Sequence, residues 1–444
     1  FEKIHFKPFT TLVLKNIVII DKNPAADASD PSAQPVDTFF QAKYIIANMS
    51  LKSLTSHEGL HLDRVSVKDA QMNLVLEDNP GIGQDQLDNL SRIFGIEKQE
   101  VTEYSEKELF HIKKVGIEKF TFRLKNHSSS KTPYSGGINW NDLEVSEIDI
   151  DAKELQFKGG VMSGEVESLS FIEKSGYRCN HISGKARVGN GKTIVNEFTL
   201  KDPWSDIDLP LYMMSYSGVE AFQNYIEEVR MDAEIAQSVI DFRTIGFFAP
   251  ELEGNKLTID AVGGIFSGTV DDFSVKNMTV SSRAGGFAGT ITGRMKGIPE
   301  IDRTTIDAKI RNFTVSSKGL GLFVTEWMKE GSLDLSRFAK GTTFRINADA
   351  HGLLNNLKIN ADINSGIGRL HGNIRLDDII AEDRQIGISG DINTRNLNIG
   401  RIIGNDIVGE TTLKATAGIR LADGDKPMSA SIDSLEIDRL HVYG

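Results

Sequence analysis

The chain has 444 residues, a formal net charge of -12, 39% apolar and 25% charged residues. This is too long for one compact core, ordinary for a folded protein, and too acidic, with Lys and Arg scattered, for a nucleic-acid or anionic-membrane binder. A single cysteine, Cys179, excludes an intrachain disulfide and every metal site built on paired cysteines.

In chain order, residues 1 to about 80 read as strands: Ile4-His-Phe6, Leu12 to Ile20, Tyr44 to Ile46, Leu60 to Leu62, Val65 to Val67 and Met72 to Leu76. A Pro/Ala/Ser/Asp segment, Asn23 to Pro35, has nothing to bury and is expected to be a loop. Leu87, Leu90, Ile93 and Phe94 have helical spacing and stop at Gly95, which predicts a short amphipathic helix over 84–95. Strands resume at Ile112 to Leu124, break at the polar stretch Asn126 to Gly137, and continue from Leu143 to Thr199.

Residues 202–255 change character. Val219 to Met231 and Ala236 to Phe248 show three-and-four spacing closed by Pro250, which predicts a helical insert between a β region at 1–201 and another at 256–444. A further helix is expected at Leu320 to Lys329.

The strongest signal lies in the last region. Leu257-Thr-Ile259-Asp-Ala261, Phe344-Arg-Ile346-Asn-Ala348, Leu357-Lys-Ile359-Asn-Ala361-Asp-Ile363, Ile386-Gly-Ile388-Ser-Gly390-Asp-Ile392 and Leu413-Lys-Ala415-Thr-Ala417-Gly-Ile419 all alternate with period two. Such strands place every apolar side chain on one face of a sheet. With so few helices between them, that face packs on a second sheet, closes around a core, or lines a groove.

Catalytic and metal motifs are weak. His57 and His61 have i,i+4 spacing, but Glu58-Gly59-Leu60 between them leads into a strand rather than along a zinc-binding helix, so no metal is expected. Glu147, Asp149 and Asp151 alternate along one strand and point outward together. Ser163 lacks the strand-to-helix elbow of an activated serine, and Gly285 to Gly289 lacks the helix that a phosphate loop needs. Asn190-Gly191 and Asp423-Gly-Asp425 read as hairpin turns. Neither an enzyme nor a cofactor is expected.

Two stretches resemble a known family. Ile4-His-Phe-Lys-Pro-Phe-Thr-Thr-Leu-Val-Leu-Lys-Asn-Ile-Val-Ile-Ile-Asp21, followed by a variable loop and a strand pair ending Leu74-Val-Leu76-Glu-Asp78, resembles the start of the AsmA-like and TamB proteins of Gram-negative envelopes. Ala236-Gln-Ser-Val-Ile-Asp241-Phe242, Gly263-Gly-Ile-Phe-Ser-Gly268, Gly286-Phe-Ala-Gly289-Thr-Ile-Thr-Gly293 and Leu397-Asn-Ile-Gly400-Arg-Ile-Ile-Gly-Asn405 resemble the TamB β-rich region.

The resemblance implies a mainly β fold, an elongated curled antiparallel sheet forming a taco-like apolar groove with a few short amphipathic helices. It also implies a periplasmic protein anchored in the inner membrane by an N-terminal helix that this chain lacks. Its role would be to carry phospholipid acyl chains between membranes, or to assist outer-membrane protein assembly with a BamA-family partner. The chain opens and closes in strand pattern, which is expected of a segment of something longer.

On this reading the lining residues are Phe120, Phe122, Leu257, Ile259, Phe344, Ile346, Leu357, Ile359, Ile363, Ile386, Ile388, Leu413 and Ile419. A closed core, a sheet edge that pairs with a client strand, and a β-helical glycan enzyme stand as alternatives. The last needs a carboxylate cluster on consecutive strands, and none is visible.

Overall fold

The computed structural model describes residues 3–7, 10–22, 37–49, 53, 59–77, 87–94, 107–127, 137–249, 254–255, 257–321, 339–379, 385–403, 407–421 and 427–442. They are mainly β, in antiparallel sheet that curls without closing, with a few short helices. The chain divides into two units, Phe1–Leu211 with Phe242–Gly254, and Tyr212–Asp241 with Asn255–Gly444.

The first unit contains β1 (Lys3–Lys7), β2 (Thr11–Ile20), β3 (Thr38–Met49), β4 (Leu60–Glu77), β5 (Leu87–Asp88), β6 (Glu108–Asn126), β7 (Asp142–Lys158), β8 (Val161–Glu173), β9 (Arg178–Gly189) and β10 (Lys192–Lys201). Neighbours in sequence pair antiparallel, except that β4 and β6 run parallel over Leu60↔Phe110 to Leu76↔Asn126. A parallel pair needs a crossover, and the crossover carries β5 and a helix, Asn89–Phe94.

The helix predicted over 84–95 is therefore shorter, because Leu87 and Asp88 pair with Glu77 and Leu76 of β4 instead. The Asp88 carboxylate caps it by accepting from the Ser91 N–H at 2.7 Å. Buried Asn89 then ties it to β4, accepting from the Val75 N–H at 3.0 Å and donating to the Asn73 carbonyl at 2.9 Å. The hairpin predicted at Asn190-Gly191 is present, both residues having positive φ (52° and 68°), as a two-residue type I′ turn requires. The segment Asn23 to Pro35 lies outside the described residues.

The chain passes between units within β11 (Asp206–Ser215). The second unit holds β12 (Arg230–Asp241), β13 (Thr258–Gly268), β14 (Asp272–Ser282), β15 (Phe287–Lys296), β16 (Thr305–Ser316), β17 (Thr343–Leu353), β18 (Asn356–Ser365), β19 (Gly368–Asp377), β20 (Gly387–Arg395), β21 (Leu397–Asn398), β22 (Val408–Arg420) and β23 (Ser429–Val442). From β12 to β20 each strand pairs antiparallel with the next, and β22 then joins β20, β21 and β23.

Three expectations change. The predicted helical insert over 202–255 is mostly strand, with only a 3-10 turn at Val219–Asn224 and short helices at Tyr225–Glu228 and Phe242–Gly246. Register shifts at Ile235/Ser238 and Ser238/Ile240 break the period of two in β12, and the resulting mixed spacing mimics a helix in sequence. The helix predicted at Leu320 to Lys329 occupies 317–321 as far as the described residues go.

Strands are also longer than the short runs read from the sequence: Leu60 to Leu62, Val65 to Val67 and Met72 to Leu76 all belong to one strand, β4. The apparent break between Val67 and Met72 is a positive-φ residue, Asp69, that β4 runs straight through. Asn16, Asp69, Lys119 and Glu147, on β2, β4, β6 and β7, all have φ near +50° without ending their strands, and at Lys119 and Glu147 the β6–β7 register also shifts, the mark of a bulge. In Lys68-Asp69-Ala70 and Glu118-Lys119-Phe120, which lie opposite each other in register, two polar residues in succession mark the positive-φ position. Each bulge adds local twist and bend, a physical source of curl.

Candidate apolar sheet face

Register turns the alternation of single strands into lines of side chains that cross the sheet. In the second unit Phe266, Val275, Gly293, Ala308, Ala350, Ile359, Ile374, Gly390 and Ala417 succeed one another across β13 to β22. A parallel line runs Gly352, Leu357, Leu376, Ile388, Ile419. The first unit repeats the pattern as Leu14, Ile45, Val67, Ile117, Ile150, Leu169, Ile182 and Leu200. None of these lines contains a charged residue.

The opposite face carries the charge, tied in pairs from strand to strand. Lys68–Glu118 and Lys113–Asp63 lie at 2.7 Å, Arg311–Asp349 at 2.6 Å and His371–Asp362 at 2.8 Å. The Arg294 guanidinium holds the Asp272 carboxyl below the usual carboxylate range, and Arg123 does the same to Glu144. These pairs are exposed and contribute little stability each. Their effect is to fix the polarity of that face.

The apolar face is only half covered. Ile359, Ile374, Leu376, Ile388, Leu413 and Ile419 are neither buried nor fully exposed, whereas side chains sandwiched between two layers would be buried. Packed clusters occur at strand ends. One gathers Val315, Ala339, Phe344, Ile367 and Leu397, with Phe313, Ile346, Ile363 and Leu370 against it. The other gathers Ile138, Tyr177 and Cys179, with Leu143, Phe171 and Phe247 and the last two residues of the first-unit line, Ile182 and Leu200, against it.

The predicted lining residues thus divide. Phe120, Phe122, Ile359, Ile388, Leu413 and Ile419 belong to the half-covered face, and Leu357 lies on it at 8% exposure. Ile259 faces Ile240 across β12 and β13; Leu257 and Ile386 precede their strands. Phe344 belongs to the buried cluster, and Ile346 and Ile363, partly buried, pack against it. Ala339, Ile367 and Leu397, from connections and the short β21, complete that cluster.

Cys179 sits in the first-unit cluster at 1% exposure. Burial raises its thiol from 9.0 to about 11, the nearby Asp202 carboxylate adding to the rise and a backbone bond at His181 opposing it. The neighbouring Tyr177 hydroxyl is raised for the same primary reason. A thiol raised in this way stays neutral, so alkylation of Cys179 by iodoacetamide at pH 8 is expected to run about 100-fold slower in the native chain than in denaturant. Because the folded form holds its proton more tightly, its contribution to stability is complete below about pH 9 and falls as pH rises to about 11. Equal labelling rates would show that the cluster is open.

Of the pair His57 and His61, His57 lies outside the described residues. His61 instead meets Glu108 and His111, residues distant in sequence that only the parallel β4–β6 register brings together. Among the described residues no helix is long and apolar enough to cross a membrane. Comparison with family models, curated proteins and solved structures gives no match to this chain.

Proposed function

We propose that the half-covered apolar face is a groove for phospholipid acyl chains, and that the protein is a TamB or AsmA-like bridge carrying phospholipid between the inner and outer membranes of a Gram-negative envelope. The periplasmic location, the inner-membrane anchor and a BamA-family partner at the outer membrane rest on the sequence resemblance alone. The groove rests on an observation: uncharged apolar lines cross strand after strand, residues along them such as Ile359, Ile374, Ile388 and Ile419 are only half covered, and polar, ion-paired residues lie behind them.

Large contiguous apolar surface left open to water marks a binding site, and its chemistry selects the ligand. A face with no charge and no directed polar group recognises methylene chains by transfer out of water, about 0.8 kcal/mol for each one buried. Rows spaced about 4.8 Å apart across strands, repeated without interruption, suit a ligand that slides rather than one that locks. The test is transfer of labelled phospholipid from donor to acceptor vesicles. The purified chain accelerates it if the reading is right; a chain that neither binds nor transfers lipid excludes it.

A further inference from the structure

On the charged face of the first unit, two bulges and one parallel register bring His61, Glu108 and His111 together. His61 of β4 and His111 of β6 are register partners, their rings 6.2 Å apart at 84°. An irregularity between Glu108 and Phe110 in the β6–β7 pairing turns Glu108 toward His111, whose Nδ1 lies 3.9 Å from Glu108 Oε1. One ligand atom from each of the three residues falls within 4.8 Å of the others.

The residues around this trio are arranged as a metal's outer shell would be. The Glu154 carboxylate lies 2.7 Å from His111 Nε2. Glu154 stands at a bulge of β7 with φ 53°, between the shifted positions Lys153 and Gln156. A carboxylate bonded to one ring nitrogen fixes the tautomer and directs the other nitrogen, here Nδ1, at the metal. Gln156 Nε2 donates to Glu108 Oε1 at 3.1 Å, positioning the third ligand. His61 is buried at 5% exposure, and Ser53 Oγ bonds both its N–H (2.6 Å) and its carbonyl (2.5 Å), anchoring the strand beneath it.

We propose that His61, Glu108 and His111 bind a divalent transition metal, with zinc as its chemical type, clipping β4 to β6 where the chain returns from its crossover. Two imidazoles and one carboxylate form a zinc donor set that leaves one position for water. The site is separate from the apolar face and independent of what that face carries.

The test is zinc titration of the full 444-residue chain, monitored by calorimetry and by thermal unfolding. Wild type takes up one equivalent and melts at higher temperature with zinc. His111→Gln, on a half-exposed side chain, loses that binding, and Glu154→Gln weakens it about 10–100-fold by releasing the ring from its orientation. His371→Gln, which removes an ordinary histidine–carboxylate pair on the same kind of surface, leaves it unchanged. Failure of wild type to bind overturns the proposal. Equal affinity in wild type, His111→Gln and Glu154→Gln overturns it too, since zinc would then be held elsewhere. Circular dichroism of each variant confirms the fold, so that loss of binding is not loss of structure.

Discussion

Ile359→Asp abolishes phospholipid transfer, whereas Lys358→Asp, one residue away, leaves it within about twofold, as for an exposed substitution. Ile359 lies between Ala350 and Ile374 on the apolar face, and Lys358 is exposed on the other. In the empty groove the new carboxylate reaches water, since this position is only half covered, and the sheet forms. When an acyl chain covers it, the charge must leave water without a partner, at a cost of several kcal/mol. A factor of ten per 1.4 kcal/mol makes the loss of transfer about 100-fold or more. Vesicle transfer with the two variants, both checked by circular dichroism, measures this. Normal transfer by Ile359→Asp would leave the sheet edge, rather than the groove, as the working part of the molecule.

Two interior charges are no worse than one. Phe266 on β13 and Ile359 on β18 belong to the same apolar line, five strands apart and so about 24 Å along the sheet. Independent contributions at that separation multiply. A path that lipid must traverse is different, because either block alone stops flow. Phe266→Asp and Ile359→Asp should each abolish transfer, and the double variant should match the more severe single one. A double variant that multiplies two partial losses would indicate separate pockets instead of a continuous path.

Alternation made the fold class legible, because a period of two needs only local sequence to be read. Parity puts Ile359, Ile388 and Ile419 on the apolar side of their own strands, and the register joins those sides into one face. Kinks within a strand are harder to read, since Lys68-Asp69 looks like a strand end unless the partner strands are known. The same blindness turned β12 into a predicted helix: Ala233, Ile235 and Ile240 share a face through two register shifts that sequence does not display. Phe344, Ile346 and Ile363 show the remaining limit, for Val315 and Leu397, which pack in the same cluster, lie on strands far apart in sequence. The His61, Glu108 and His111 group was out of reach for a related reason. A parallel β4–β6 pair is set by a crossover, and no local pattern announces which strands it joins.

The most direct measurement of the groove is photocrosslinking by parity. A photoreactive residue at Ile359 or at Ile388, with the full-length protein in the envelope, is expected to capture phospholipid. The same residue at Lys358 or Ser389, which register turns to the opposite face, is expected to capture none. Equal capture by both parities, or capture by neither, would contradict the groove.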